Sequence, residues 1–354
     1  MRIDFLTSNL SVGGAERVMI LLANHFTKKH QVNIVMLNDG VDYELDEGIN
    51  LIDLNHVNFK IKKLQSLVNL LIHYKKKENR PDVIIPFITQ VNLLGILVAK
   101  IYGFPVIASE HNSHLRKQTP IWLTNFTWKF IYPKSNFVTV LTPFDIPFFK
   151  KKKVNVVVMP NPSTFLPITE NNHTRDKIIL AVGGLDRYWN KGFDSLISIF
   201  KEVQKLEEDW KLQIIGNGDN GLDFLTKLVE KHELKEKVEF LGYKKNVSDY
   251  MYKSSIFILP SRLEGLPMVL LEAMSQGMAC IAFDCKTGPS SIIVDKVNGF
   301  LIEDQNIEEM IEKLSLLMMN ESLRKKLSNE GIKSLENFSI ESIGNQWEKL
   351  FKQL

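Results

Sequence analysis

The stretch "VNVVVMPNPS", residues 154–163, decides the fold because it closes one series of strands and separates it from a second. Its valine-rich half predicts a strand, and Pro-Asn-Pro then stops any regular element. Before it, short β-rich runs alternate with longer stretches of helical period, and the alternation restarts after it at "IILAVGG", residues 178–184. Apolar strands alternating with helices indicate parallel sheets covered on both faces. Two such series therefore indicate two Rossmann-like domains.

The predicted elements follow this alternation. The first series has the strands "IDFL", "VNIVML", "DVIIPFI", "PVIAS" and "FVTVLT", with helices over 14–28, 61–78, 91–102 and 121–132. The second has "IILAVGG", "KLQIIG", "VEFLG", "SIFILP", "CIAF" and "GFLI", with helices over 193–207 and 222–232 and another from 267. We expect an α/β protein of two doubly wound parallel-sheet domains, 1–161 and 162–335, facing a central cleft. A C-terminal helix in 336–354 is expected to pack back on the first domain.

Composition is that of a globular protein, with 44% hydrophobic and 24% charged residues among 354. Cys280 and Cys285 are too few for a disulfide framework and indicate reduced, structural thiols in a cytosolic protein. The N-terminus carries Asp4 and has no apolar core, so no signal peptide is expected. The most apolar region, 83–108, is interrupted by a proline and polar residues, which argues against a membrane-spanning helix.

The net charge of +3 is unevenly distributed. Residues 1–161 contain 20 Lys and Arg against 12 Asp and Glu, a net charge of +8, and the remainder contains 24 against 29, a net charge of −5. The asymmetry is either chance on two solvated surfaces or the mark of an anionic partner for the first half.

Two groups of polar or small residues follow strands in the first half. Gly13 and Gly14 open a helix, where backbone N–H groups can approach an anion, although a plain tight turn fits the pair equally well. The segment "SEHNSH", residues 109–114, ends a strand that should line the cleft. We consider His111 a candidate donor to a sugar hydroxyl or carbonyl, against the alternative that it is structural.

The first strand of the second half leads into "GGLDRYWNKGFD", residues 183–194. It contains two cations: Arg187, whose guanidinium is a planar fork of donors, and Lys191, whose ammonium is a point charge. Together they suit a diphosphate, and the alternative is that both are solvated loop residues. The next strand ends in "IIGNGDN", where Gly216, Asn217 and Gly218 form another turn with exposed amides.

Two carboxylates occur in "SRLEGLPMVLLEAMSQG", residues 261–277. Pro267 fits the first turn of a helix, which leaves the amides around Gly265 and Leu266 free to receive an anion. Glu272 is expected to be half-buried in that helix and to accept two hydrogen bonds from a vicinal diol such as ribose. Glu264 would accept a hydrogen bond from a second polar part of the ligand, on the other side of the phosphates from the diol.

The sequence resembles the retaining glycosyltransferase family 4, which has the two-Rossmann-domain GT-B fold. Its motifs include "GGAERV", "EHN", "MPNP", "KGFD", "IIGNGD", "VEFLG", "LPSRLEGLPMVLLEAMSQG", "FDCKTGPSSII" and "NGFLI". The resemblance spans nearly the whole chain and is firmest from 178 to 303. The segment "FDCKTGPS" is similar to that of enzymes that transfer hexoses or N-acetylhexosamines in bacterial surface-polysaccharide or lipid-linked glycan assembly.

The resemblance implies roles for these residues. Glu272 would bind the ribose, Glu264 the donor sugar and Lys191 the diphosphate, with Gly13 and Gly14 closing over it and His111 near the reacting carbon. The predicted catalytic residues are thus His111, Arg187, Lys191 and Glu264. Donor binding is assigned to Gly13, Gly14, Gly184, Gly216, Asn217, Gly218, Tyr243 (directly after "VEFLG"), Gly265, Leu266, Pro267 and Glu272.

Gly184 departs from the family pattern, which places an arginine directly after the first glycine of the cation loop. Arg187, in a loop about two residues longer than usual, is the candidate replacement. No two aspartates are spaced as Asp-x-Asp, so neither a metal ion nor another cofactor is expected.

The basic first half would then face the acceptor, a glycan or a polyprenyl-diphosphate-linked sugar. In "KIKKLQSLVNLLIHYKKKE" an apolar helical stripe lies between lysines, and Lys150–Lys153 add a second basic cluster. The stripe consists of Ile61, Leu64, Leu67, Val68, Leu71 and Ile72. Such a helix is either packed on the core or suited to anionic lipid head groups. We therefore expect a cytoplasmic enzyme, peripheral on the inner face of a bacterial membrane, that binds no nucleic acid.

Three functions remain open. The first is a retaining transferase that uses a UDP-sugar. The second is a nucleotide-sugar epimerase on the same fold, which would turn over the UDP-sugar without an acceptor. The third is a non-catalytic scaffold that binds a nucleotide-sugar.

Overall fold

A computed structural model describes residues 1–11, 13–55, 62–116 and 120–354. They form two compact units, one of Met1–Pro162 with Ser339–Leu354 and one of Ser163–Phe338. Each unit combines parallel strands with helices, so the predicted α/β class is confirmed.

The described residues of the first unit form seven strands, and all of their pairings are parallel. They are β1 (Arg2–Thr7), β2 (Gln31–Met36), β3 (Ile49–Asp53), β4 (Val83–Pro86), β5 (Ile107–Ser109), β6 (Phe137–Val140) and β7 (Val156–Val158). Four run in the order β3-β2-β1-β4 and three in the order β5-β6-β7. Parallel bridges from Ile84 to Val106 and from Phe87 to Ser109 join the two sets.

The described residues between Met1 and Pro162 form five α-helices: α1 (Gly14–Thr27), α2 (Lys62–Lys75), α3 (Thr89–Tyr102), α4 (Ile121–Phe126) and α5 (Ile146–Lys150). A π-helical turn, Thr127–Ile131, and a 3-10 turn, Tyr132–Lys134, continue α4. The helix predicted near 121–132 is therefore present, but its type changes after Phe126. The hydroxyl of Thr127 donates to Leu123 O, and such bonds to the preceding turn loosen a helix.

The predicted apolar stripe on α2 is wrong in part. Ile61 lies outside the described residues, and the side chains of Leu64 and Ile72 are exposed, whereas α2 buries polar residues beside Leu70. The polar face is buried because it finds partners: Tyr74 donates to the buried carboxylate of Asp4 (2.8 Å), and Asn69 donates to a backbone carbonyl.

The second unit contains six parallel strands in the order β10-β9-β8-β11-β12-β13. They are β8 (Asp176–Val182), β9 (Lys211–Ile215), β10 (Val238–Gly242), β11 (Ser254–Leu259), β12 (Ala279–Phe283) and β13 (Phe300–Ile302). Its helices are α6 (Tyr188–Lys191), α7 (Phe193–Gln204), α8 (Asp219–Lys231), α9 (Val247–Lys253), α10 (Met268–Ser275), α11 (Ile307–Met319) and α12 (Glu321–Ser334). The strand order reverses between β8 and β11. Ligands of such sheets bind beyond the carboxyl ends of the strands at this switch point.

The last helix, α13 (Ile340–Phe351), belongs to the first unit. The ring of Phe351 lies 5.3 Å from that of Phe26 on α1, and Glu348 pairs with His30 at 2.8 Å. Gly344 permits this approach, because a Cβ at that position would lie 2.2 Å from the ring of His25.

Candidate active site

Lys191 and Glu264 meet at the switch point of the second unit. Lys191 ends α6 in the segment after β8, and Glu264 lies in the loop after β11. The ammonium nitrogen is 2.7 Å from Oε1 of the carboxylate, and the two side chains are only 11% and 10% exposed. Ser261 also donates to Oε1, at 2.6 Å. Two of the predicted site residues are thus paired directly, and the carboxylate is also held by Ser261, which the sequence reasoning did not single out although it too follows a strand.

Arg262 ties the two loops to each other. Its guanidinium binds both carboxylate oxygens of Asp194, at 2.7 and 3.0 Å, and donates to Trp189 O. Its backbone N–H donates to Asn190 O at 2.8 Å. The loop that carries Lys191 is therefore fixed against the loop that carries Glu264.

Gly192 allows the close approach of these loops. It has a φ of +68°, and a Cβ there would lie 1.8 Å from Pro260 O. Only glycine fits a backbone contact of this kind in that conformation.

The turn of Gly216, Asn217 and Gly218 packs against the cation loop. The N–H of Leu185 donates to Asn217 O at 2.7 Å, and a Cβ on Gly218 would lie 2.4 Å from Asp186 N. The amide of Gly216 donates to Gly242 O at 3.1 Å. The expectation of an exposed amide is therefore wrong for Gly216, because the neighbouring strand end takes its hydrogen bond.

The loop from Glu264 to Pro267 presents amides at the start of α10. Thr287 donates its hydroxyl to Gly265 O at 3.0 Å and fixes the loop from behind. Among the described residues, the N–H groups of Gly265 and Leu266 have no acceptor. Pro267 caps α10 and does not lie in its first turn as expected. Two free amides beside a helix N-terminus and a lysine form a favourable environment for an anion.

Glu272 is buried in α10, more deeply than the half-burial expected. Its Oε1 accepts a short hydrogen bond from the hydroxyl of Thr164. Thr164 was not predicted, because it follows the Pro-Asn-Pro turn and precedes Glu272 by 108 positions. The carboxylate does bind a hydroxyl, but this hydroxyl belongs to the protein.

Arg187, Gly184 and Tyr243 are exposed. Within the described part of the chain, the guanidinium of Arg187 forms no ion pair with Glu264, which pairs with Lys191 instead. Gly184 has ordinary backbone angles, φ −63° and ψ 124°, and a Cβ there would meet nothing within 4 Å. The missing arginine of the family pattern would therefore fit at this position.

In the first unit, His111 stacks on Phe87 with ring centroids 4.5 Å apart. Burial lowers the pKa of His111 to about 3, so the imidazole is neutral at physiological pH. Its Nε2 lies 3.0 Å from Ser109 Oγ, which accepts a hydrogen bond from Thr139. Which of the two groups donates in this contact depends on the tautomer of the imidazole. Nδ1 is buried and has no partner among the described residues.

Two neighbours of His111, Glu110 and His114, form hydrogen bonds within the first unit. Glu110 was expected to line the cleft, but it is buried and accepts hydrogen bonds from Thr89 (2.7 Å) and Tyr132 (2.6 Å). Burial raises the pKa of Glu110 against the effect of these bonds. His114 is bound to Asp145 and stacks on Phe148.

Gly13 and Gly14 differ in their surroundings. The Tyr43 hydroxyl accepts from Gly13 N (3.1 Å) and donates to Gly13 O (3.0 Å), so the amide expected to bind an anion is occupied. Gly14 begins α1 and is exposed, with nothing within 4 Å of a Cβ placed there.

Cys280 and Cys285 are free and buried, and burial raises the pKa of both thiols. Among the described residues, no three His, Cys, Asp or Glu side chains cluster as metal ligands would. In the same residues, every helix is too short or too polar to cross a membrane.

Two family models match the chain. The model described as Glycosyltransferase Family 4 matches residues 12–162, and the one described as Glycosyl transferases group 1 matches residues 165–334. An "Uncharacterized glycosyltransferase" of Haemophilus influenzae is 31% identical over 350 residues, which cover 98% of each chain.

The similarity extends to a named enzyme and a solved structure. A Campylobacter jejuni protein is 28% identical, with 100% of this chain and 99% of its own covered. Its name is "GalNAc-alpha-(1->4)-GalNAc-alpha-(1->3)-diNAcBac-PP-undecaprenol alpha-1,4-N-acetyl-D-galactosaminyltransferase". The crystal structure of Anabaena HepE in complex with UDP-glucose matches the fold with a TM-score of 0.81 at 16% identity, over 100% of both chains.

Proposed function

The chain belongs to glycosyltransferase family 4, and on that premise we propose that it moves a hexose or N-acetylhexosamine from a UDP-sugar to a glycan hydroxyl with retention of configuration. It is a glycosyltransferase of the GT-B fold. The observation that carries the proposal is the Lys191–Glu264 pair at the switch point of the second unit, beside the free amides of Gly265 and Leu266.

In this proposal the diphosphate of the donor lies on Lys191 and the two amides. Glu264 accepts from a hydroxyl of the donor sugar, and Glu272 binds the ribose after exchanging its hydrogen bond with Thr164. Lys191 then passes from a carboxylate partner to a phosphate partner when the donor binds. HepE, which shares the fold, has been crystallised with UDP-glucose, and this supports a UDP-sugar as donor.

The reaction needs no metal ion in this proposal. Negative charge grows on the β-phosphate as the glycosidic bond breaks, and Lys191, Arg187 and the helix-terminal amides stabilise it. His111, held neutral by burial, contacts the donor sugar near the reacting carbon. Activity should survive EDTA, and activity that is lost in EDTA and returns with manganese would contradict this part of the proposal.

The acceptor is a glycan or a polyprenyl-diphosphate-linked sugar of bacterial polysaccharide or lipid-linked glycan assembly. The name of the C. jejuni relative specifies such a lipid-linked acceptor. The net charge of +8 in residues 1–161 suits a diphosphate-bearing acceptor and a peripheral position on the inner face of the membrane.

The decisive experiment is a donor panel of UDP-Glc, UDP-Gal, UDP-GlcNAc, UDP-GalNAc and GDP-Man. Thermal shift measures binding, and release of the nucleoside diphosphate is measured with and without a polyprenyl-diphosphate glycan. We expect a UDP-sugar to bind and its turnover to need the acceptor. Interconversion of UDP-sugars without an acceptor would indicate an epimerase. Binding without turnover on any lipid acceptor would indicate a scaffold.

A further inference from the structure

The first unit exposes an apolar face on α4 and the π-helical turn that follows it. We define this aromatic face as Ile121, Trp122, Phe126 and Phe130, which are 56%, 69%, 44% and 50% exposed. The aromatic residues recur at intervals of four, so they lie on one side of the helical segment. The rings of Phe126 and Phe130 are 5.4 Å apart and form a continuous surface.

The opposite side of the same segment is fully packed. Thr124, Thr127, Trp128 and Ile131 are buried against the rest of the unit. Packing of this segment on the core is therefore complete without the aromatic face. It gives no reason for an apolar residue at the exposed position of Trp122. Exposed apolar patches of this kind mark interaction sites.

The sequence on both sides of the aromatic face carries charges of one sign. No Asp or Glu occurs between Glu110 and Asp145, whereas Arg116, Lys117, Lys129 and Lys134 do. The Lys129 ammonium lies 5.1 Å from the Phe130 ring.

The basic cluster Lys150–Lys153 contacts the same helical segment from its buried side, through Phe148. The ring of Phe148 lies 5.2 Å from that of Trp128, on the buried side of the segment, and Lys152 lies 3.4 Å from the Phe148 ring. An apolar strip with a lysine against one of its rings, and with tryptophan as its most exposed member, is the composition of helices that lie in the head-group region of anionic membranes.

We propose that the aromatic face is the membrane-binding element of this protein and that its partner is the surface of an anionic lipid bilayer. The inference rests on the peripheral location proposed above and assigns it to α4 instead of α2. Trp122, Phe126 and Phe130 enter the acyl–head-group boundary while the neighbouring lysines bind lipid phosphates. The polyprenyl-linked acceptor would then meet the enzyme at the membrane surface.

The test is co-sedimentation with vesicles of phosphatidylcholine containing about one third phosphatidylglycerol, without donor or acceptor. Trp122→Ser/Phe126→Ser/Phe130→Ser should lower the partition coefficient at least about tenfold, because three apolar side chains leave the bilayer. The matched control, Leu64→Ser/Ile72→Ser/Ile101→Ser, removes exposed apolar side chains elsewhere in the same unit and should bind as the unchanged protein does. Circular dichroism and thermal midpoints check that both variants fold.

Three outcomes overturn the inference: equal vesicle binding by the two variants, loss of binding only in the control, or equal binding of the unchanged protein to vesicles of phosphatidylcholine alone. A dimer in sedimentation that the first variant abolishes would instead assign the face to a second copy of the chain. UDP binding by thermal shift is measured separately. The two measurements are independent. Loss of vesicle binding would refute the membrane-binding role of the aromatic face without affecting the proposed donor site, and absence of UDP binding would refute the donor site without affecting the membrane-binding role.

Discussion

The ammonium group of Lys191 is bound to the carboxylate of Glu264 across two loops that follow different strands, β8 and β11. Both groups are largely withdrawn from water, so each depends on the other for neutralisation. A diphosphate that enters this site competes with Glu264 for the lysine.

Lys191→Met should weaken UDP binding about 10- to 100-fold, the scale of one hydrogen-bonded charge lost. This variant also leaves Glu264 without its countercharge. The double variant Lys191→Met/Glu264→Gln separates the two effects in isothermal titration. We expect it to bind UDP as poorly as the single variant. Recovery of UDP affinity in the double variant would show that repulsion from Glu264, and not a lost phosphate contact, had caused the defect.

Glu272→Ala should weaken UDP binding by roughly 2–3 kcal/mol, because a charged acceptor of two ribose hydroxyls is lost. Glu264→Ala should spare UDP affinity and reduce transfer. Thr164→Val tests the alternative that Glu272 serves only to anchor Thr164. Under that alternative Thr164→Val and Glu272→Ala lower the melting temperature alike and leave UDP affinity unchanged. Equal losses of UDP affinity in Glu272→Ala and Glu264→Ala would refute the assignment of Glu272 to the ribose and Glu264 to the sugar.

Arg187→Ala should lower kcat by about 10²–10³, the scale of one strong electrostatic donor to the leaving phosphate. Lys at 187 should restore part of this, because it lacks the planar fork. Gly184→Arg in the Arg187→Ala background should restore more, since the backbone at 184 accepts a side chain and its surroundings are open. A silent Arg187→Ala beside an inactive Lys191→Met would mean that the exposed Arg187 side chain remains in solvent during the reaction.

Stability should depend on pH through His111. Its folded-state pKa is about 3, whereas an unfolded imidazole titrates near pH 6.5. Between these values the unfolded chain binds the extra proton, so stability falls as the pH falls through this window. From pH 7 to pH 5 the unchanged protein should lose about 2 kcal/mol more than His111→Phe, which keeps a ring on Phe87. Urea denaturation at both pH values measures this, and parallel losses would mean that His111 titrates normally when folded.

The fold was predictable because each buried parallel strand reads as a short apolar run, and the turn at Pro160–Pro162 breaks the series visibly. The positions of Lys191 and Glu264 were predictable for the same reason, since both follow strands that flank the switch point. Their direct pairing was not, because loop conformation depends on contacts such as that of Gly192 with Pro260. The bond from Thr164 to Glu272 joins residues far apart in the sequence, which no local pattern reports.

The polar face of α2 misled the sequence interpretation for a related reason. Periodicity counts apolar side chains, whereas this helix is held through Tyr74 and Asn69, whose partners lie on other elements. The π-helical turn after α4 likewise depends on hydroxyl bonds that periodicity does not register.

The position of α13 separates the order of synthesis from the order of assembly. A ribosome makes the whole of Ser163–Phe338 before Ile340–Phe351 emerges, yet those later residues pack on Phe26 of α1, which was made before the second unit. The first unit therefore stays incomplete until the whole of the second unit has been synthesised, and until then α13 cannot cover its side of α1.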